Sequence, residues 1–96
     1  MSKIIIIIPT LNEEKNILKI VKRIFKVNNS YQILFIDDGS TDRSQTIIKD
    51  LNQKYKKIKY IFRTNKTGIG SAHKTAIKFC YKRKFDFIIT MDADGT

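Results

Sequence analysis

The chain has 96 residues, 42% of them hydrophobic, with 19 Lys and Arg against 9 Asp and Glu, one cysteine and one proline. That length allows one domain burying roughly two thirds of its unfolded surface, which excludes a core plus a separate substrate domain, and the blocks of branched aliphatic residues exclude disorder. The lone Cys80 excludes a disulfide framework and makes a reducing compartment the default, whereas the formal net charge of +10 leaves nucleic acid, an anionic membrane or plain solubility open.

The longest apolar run, Ile4 to Ile8, falls far short of the roughly 20 residues that span a bilayer, and it lacks the pattern of a signal peptide. Secretion is therefore not indicated. With Lys3 in front, the run reads as a first strand ending at Ile8. It leads into Pro9-Thr10-Leu11-Asn12-Glu13-Glu14, where Thr10 and Glu13 have the spacing of a capping box and predict a helix start. Ile17, Leu18, Ile20, Val21, Ile24 and Phe25 then recur on one helical stripe, with Lys15, Lys19, Lys22, Arg23 and Lys26 on the other face.

The second strand, Gln32 to Ile36, runs into Asp37-Asp38-Gly39-Ser40-Thr41-Asp42. A turn with Gly39 at positive φ and Ser40 or Thr41 as N-cap accounts for the tail of this string. It does not account for Asp37 and Asp38, since adjacent carboxylates directly after a buried strand are costly unless something occupies them. A second helix, about Thr41 to Tyr55, carries Ile47, Ile48, Leu51 and Tyr55. The third strand, Lys59 to Phe62, precedes Asn65-Lys66-Thr67-Gly68-Ile69-Gly70-Ser71, a glycine loop with His73 where a dinucleotide fingerprint needs its last glycine. It reads as a phosphate- or sugar-facing loop, with Lys66 a solvated lysine before it is a phosphate ligand and His73 a packing or surface residue before it is a catalytic one. A third helix, Ser71 to Lys82, places Ala72, Ala76, Ile77 and Cys80 on one stripe, and a fourth strand, Phe85 to Thr90, ends in Met91-Asp92-Ala93-Asp94-Gly95-Thr96.

The order β-α-β-α-β-α-β predicts an α/β fold with a Rossmann-like parallel sheet, right-handed crossovers and strands buried on both faces. Ligands bind such sheets at the carboxyl ends of the strands. Seven of the nine acids, all but Asp50 and Asp86, fall at strand ends and helix starts, whereas bases such as Lys26, Lys54, Lys57 and Lys84 gather at helix ends and strand starts. Cations there complement the helix dipole, which covers most of the basic clustering without any partner. On an extended segment Asp92 and Asp94 share one side, giving a hard, oxygen-only site suited to Mg²⁺ or Mn²⁺ that keeps water and phosphate in its shell.

Taken together, Pro9-Thr10-Leu11-Asn12-Glu13, Asp37-Asp38-Gly39-Ser40-Thr41-Asp42, the Asn65 to Ala72 loop and Asp92-Ala93-Asp94 resemble, in order and spacing, the nucleotide-sugar-binding half of family 2 glycosyltransferases of the GT-A fold. The dolichol-phosphate mannose synthases and bacterial polyprenyl-phosphate sugar transferases are the nearest in look. The resemblance spans essentially the whole chain and implies one nucleotide-sugar-binding domain over 1–96, incomplete at its C-terminus. It implies that Pro9, Leu11 and Glu13 line the base and ribose, partly through the backbone. It likewise implies that Asp38 binds the base with Ile36 nearby, that Asp37 is structural, and that Asp92 and Asp94 hold Mg²⁺ or Mn²⁺ on the donor diphosphate with Ala93 beside it. Leu11 stands where mannose synthases commonly carry tyrosine. The implied partners are a GDP- or UDP-linked sugar and a polyprenyl-phosphate or glycan acceptor, in a cytoplasmic location with peripheral contact at the cytoplasmic face of a membrane. No specific nucleic acid is expected, and no residue is assigned as catalytic base.

Two other readings compete. A strand followed by Asp92-x-Asp94-Gly95-Thr96 resembles the nucleophile motif of haloacid-dehalogenase-type phosphatases, which leaves both upstream acidic strings unexplained. A small basic binding module for nucleic acid or anionic membrane would use Tyr55, Tyr60, Phe79, Tyr81 and Phe85 for stacking, but their spacing suits core packing better. If the chain is the donor half of a larger enzyme, its fourth strand is left as an exposed apolar edge.

Overall fold

The computed structural model describes residues 3–63 and 71–94, with the side chains of residues 71–73 left aside. Four strands, β1 (Ile4–Thr10), β2 (Gln32–Asp37), β3 (Ile58–Phe62) and β4 (Phe87–Thr90), alternate with three helices, α1 (Ile17–Val27), α2 (Ser44–Lys54) and α3 (Ser71–Lys82). They form a four-stranded sheet of order β3-β2-β1-β4 in which every pairing is parallel. The predicted fold class holds. After β3 the chain crosses back over β2 and β1, so the strand order reverses between β1 and β4, the place where sheets of this kind bind ligands.

Side-chain alternation on the central strands sorts the core into two layers. Ile6, Ile8, Ile33 and Phe35 pack with Ile17, Ile20, Val21, Ile24, Ile48 and Leu51 from α1 and α2. Ile5, Ile7, Leu34 and Ile36 pack with Ala76 and Cys80 from α3 on the other face. Burial on both faces is why β1 and β2 read as unbroken apolar runs.

The structure corrects several expectations. β1 continues past Pro9 to Thr10, pairing Pro9 with Ile36 and Thr10 with Asp37. Ile7 turns its carbonyl toward β4, where it accepts from the Met91 N–H, and Pro9, two residues on, faces the same way. Its missing N–H therefore ends pairing to β4 while leaving pairing to β2 intact. Thr10 and Glu13 form no capping box, since α1 starts only at Ile17, and α2 starts at Ser44 rather than on a Ser40 or Thr41 cap. Gly39 does take the expected positive φ, 93°.

Three side chains assigned to helical stripes are exposed instead: Leu18, Ile77 and Tyr55, the last resting edge-on against Phe25. Tyr81, expected to pack, is also exposed. β4 is not buried on both faces either. Phe87, Ile88 and Ile89 are 57%, 42% and 41% exposed, and apolar grooves of about 230 and 370 Å³ flank the strand on its α1 and α3 sides. The exposed edge expected of β4 is present.

Phe35 and Leu18 provide opposite tests of this layering. Phe35→Ala removes a fully buried ring, and urea denaturation should show a loss of about 3–5 kcal/mol. Leu18→Ala should stay within about 0.5 kcal/mol of the parent despite its place in the apolar pattern.

Candidate functional site

The loops that follow β1, β2 and β4 open at the carboxyl edge of the sheet, and one residue organises the first two. Asp37, the last residue of β2, has no exposed surface. Its Oδ2 accepts from Thr10 Oγ1 at 2.7 Å and Ser40 Oγ at 2.5 Å, and its Oδ1 accepts from the N–H groups of Gly39 and Ser40 and from Gln45 Nε2, at 2.8 to 3.0 Å. Burial alone would push this carboxyl up. The donors from Ser40, Gln45 and Thr10 outweigh it and leave the group below its ordinary value of 3.8, so it is held as a carboxylate. Asp37 thus has the structural role expected of it.

Asp38 follows with a different task. Its N–H donates to the Thr10 carbonyl, while the Arg63 N–H donates to the Asp37 carbonyl, so ladder bonding carries both residues to the rim. There Arg63 Nε lies 3.3 Å from Asp38 Oδ1. The Asp38 side chain keeps 34% exposure, enough for the carboxylate to meet a ligand, whereas Arg63 is largely covered.

The loop after β1 lies against the turn after β2. The Asn12 N–H donates to Ser40 Oγ, Glu13 N–H to Ser44 Oγ and Glu14 N–H to Asp42 Oδ2, while Asn12 Oδ1 accepts from the N–H groups of Thr41 and Asp42. Leu11 projects from this loop with 48% exposure, and Pro9 lies half-buried beneath it. The Glu13 carboxylate accepts from Asn16 Nδ2 at 2.8 Å, which directs it to the start of α1. Ile36 is fully buried in the α3 layer, so its side chain serves the core and not the rim.

Across β1 the chain leaves β4 through Met91 and turns at Ala93 and Asp94. Asp92 and Asp94 lie past the end of β4 at a turn, not on an extended segment, so strand period does not set the side their carboxylates share. Ala93 is buried in the layer under α1 and α2, and Asp92 and Asp94, its neighbours in sequence, are exposed. Among the described residues no group of three or more His, Cys, Asp or Glu side chains could enclose a metal. Two exposed carboxylates on an anchored turn fit a hard divalent cation that takes its other oxygens from water and a diphosphate, not one caged by protein alone.

Of the residues expected from the sequence, the structure gathers Pro9, Leu11, Glu13 and Asp38 on the β2 side of β1 and Asp92, Ala93 and Asp94 beyond its β4 side. The glycine loop with Lys66 lies outside the described residues, as does the side chain of His73. The sequence reading missed Arg63, Gln45, Ser44 and the clasp made by Asn12. The bonds from Gln45 to Asp37, from Glu13 to Ser44 and from Thr41 and Asp42 to Asn12 link residues 8 to 31 positions apart, beyond the reach of local spacing rules.

The family model for glycosyl transferase family 2 matches residues 5–96. The chain belongs to this family. The matched region includes the Asp92-Ala93-Asp94 string. Relatives include the polyprenol monophosphomannose synthase of Mycolicibacterium smegmatis, 32% identical over 96% of this chain and 35% of that protein. Another is the dolichol-phosphate mannosyltransferase of Pyrococcus furiosus, 35% identical over 96% of this chain and 26% of the relative. Among solved structures, a mannosyltransferase from Pyrobaculum calidifontis in complex with GDP-Man and Mn²⁺ superposes with a TM-score of 0.80 at 20% identity, covering 96% of this chain and 27% of its own. S. aureus TarS superposes at 0.78 with 26% identity, covering 97% and 28%. The chain thus spans about a third of the length of the curated relatives it matches.

The donors around Asp37 generate a pH test. Because the folded carboxyl lies below 3.8, the stability it contributes is complete above that value and drains as pH falls through the lowered one. Urea denaturation from pH 7 to pH 3 should show Asp37→Asn losing on the order of 2–3 kcal/mol at neutral pH and losing part of the acid-side slope. A variant whose stability ran parallel to the parent at every pH would contradict this role.

Proposed function

We propose that this chain is the donor-binding unit, over residues 1–96, of a metal-dependent glycosyltransferase that moves a sugar from a nucleotide-diphosphate sugar to a lipid-phosphate or saccharide acceptor. The observation that carries this is the convergence on one sheet edge of an exposed carboxylate, Asp38, and a two-carboxylate turn, Asp92 and Asp94, on opposite sides of β1 at the point where the strand order reverses. Names of relatives support a polyprenyl-phosphate acceptor and a mannosyl donor. Among the neighbours, one structure is a complex with GDP-Man and Mn²⁺ and another a complex with UDP-GlcNAc, which supports a GDP- or UDP-linked donor.

Each residue has a task that its placement permits. Asp38, steadied by Arg63, accepts from the N–H groups of a nucleobase. Pro9 and Leu11 provide the apolar wall beside the base and ribose, with the backbone of Glu13 at its end. Asp92 and Asp94 are the residues that would hold Mg²⁺ or Mn²⁺, and Ala93 fixes their turn to the core. A divalent cation bound there would neutralise charge on the diphosphate leaving group. A lipid-phosphate acceptor would bring the protein to a membrane surface, where the basic edge opposite the donor site is suited to anionic headgroups. No helix among the described residues is long and apolar enough to cross a membrane.

Isothermal calorimetry with UDP and GDP, each with and without Mn²⁺ or Mg²⁺, tests the reading. Metal-dependent binding of at least one nucleotide is expected, with little or no sugar transfer by the isolated chain. Asp92→Ala should abolish the metal dependence. Asp38→Ala should weaken nucleotide binding about tenfold while sparing the response to metal, the size of a lost charge-assisted hydrogen bond. A parent chain that bound neither nucleotide in a metal-dependent way would sink the proposal.

A further inference from the structure

The clasp between the loops after β1 and β2 has an unusual centre. Asn12 has φ 55°, in the left-handed region, where asparagine is among the few non-glycine residues tolerated. From there its side chain reaches across: Oδ1 accepts from Thr41 N–H at 2.8 Å and from Asp42 N–H at 3.2 Å. Its own N–H donates to Ser40 Oγ at 2.8 Å, and that hydroxyl donates in turn to the buried Asp37. Asn12 is exposed, so these bonds are not forced by burial. The residue before it is Leu11, and the segment it grips begins two residues after Asp38.

We propose that Asn12 is a positioning residue that sets the spacing between Leu11 and the Asp38 carboxylate, and so determines how well the site holds the nucleoside part of the donor. Neither the metal turn nor the diphosphate region depends on it, because Asp92 and Asp94 lie beyond the opposite side of β1. This role rests on the donor-binding reading above. Both features of Asn12 are needed: a backbone that accepts φ 55° and an oxygen that accepts two N–H groups. Substitutions separate them, since glycine keeps the backbone and loses the oxygen, whereas aspartate keeps both.

Calorimetry on the full chain should compare UDP, GDP and inorganic pyrophosphate, each with Mn²⁺, for the parent, Asn12→Gly and Asn12→Asp. In Asn12→Gly, nucleotide affinity should fall about tenfold, as for loss of one or two hydrogen bonds, with pyrophosphate affinity unchanged. Asn12→Asp should restore nucleotide affinity to within about twofold of the parent. Equal weakening toward nucleotide and pyrophosphate in Asn12→Gly, or no weakening, would overturn the positioning role. Amide hydrogen exchange of Thr41 and Asp42 supplies a ligand-free readout: exchange should speed up in Asn12→Gly and return to parental rates in Asn12→Asp. If the parent binds no nucleotide, the donor reading fails and this exchange pattern alone decides whether Asn12 holds the two loops together; unchanged exchange in Asn12→Gly overturns that as well.

Discussion

A carboxylate without exposed surface lies between the ends of the two central strands, and five hydrogen bonds converge on it. Thr10 supplies one from the end of β1, Gly39 and Ser40 supply three from the turn after β2, and Gln45 supplies one from α2. An uncompensated charge there would be costly enough to prevent the fold. Satisfied as it is, Asp37 ties three elements to one point and fixes where the chain leaves the sheet. The position of Asp38 at the rim, the clasp through Ser40 and Asn12, and the start of α2 all follow from that attachment.

The adjacent aspartates show how one sequence string divides its labour. Asp37 is inward and saturated with donors. Asp38, one residue on and past the end of the strand, stays partly exposed and shares its carboxylate with Arg63. A pair that looked anomalous in an apolar context is one structural anchor and one partly exposed carboxylate at the rim, placed by the anchor beside it. Pro9 makes a comparable division on the neighbouring strand, since its missing N–H lets β1 stay paired to β2 while releasing the segment after β4 toward Asp92.

The architecture was legible because it depends on local pattern. Ile5 to Ile8 and Ile33 to Ile36 alternate between two buried layers, and α1 carries its apolar stripe at helical spacing, so element order and sheet type could be read directly. Boundaries were harder to see. Thr10 and Ser40 look like helix caps by spacing, but their hydroxyls are taken by Asp37, a long-range demand that no local rule registers. Leu18 and Ile77 look like core by period, yet no element among the described residues covers them. The carbonyl-edge acids were recognisable by type and order. The residues that orient them, Arg63, Gln45 and Asn12, became visible only once strands distant in sequence lay side by side.

The exposure of β4 gives the carboxyl edge of the sheet an uneven foundation. The Asp38 side stands on β1 and β2, buried on both faces and cross-linked through Asp37. The Asp92 and Asp94 side follows a strand that pairs, among the described residues, with β1 alone and is fastened at its start by the Lys3 N–H to Asp86. By exposure, local opening is expected at β4 before β1 or β2, with Ala93 as the tie that holds the turn to the core.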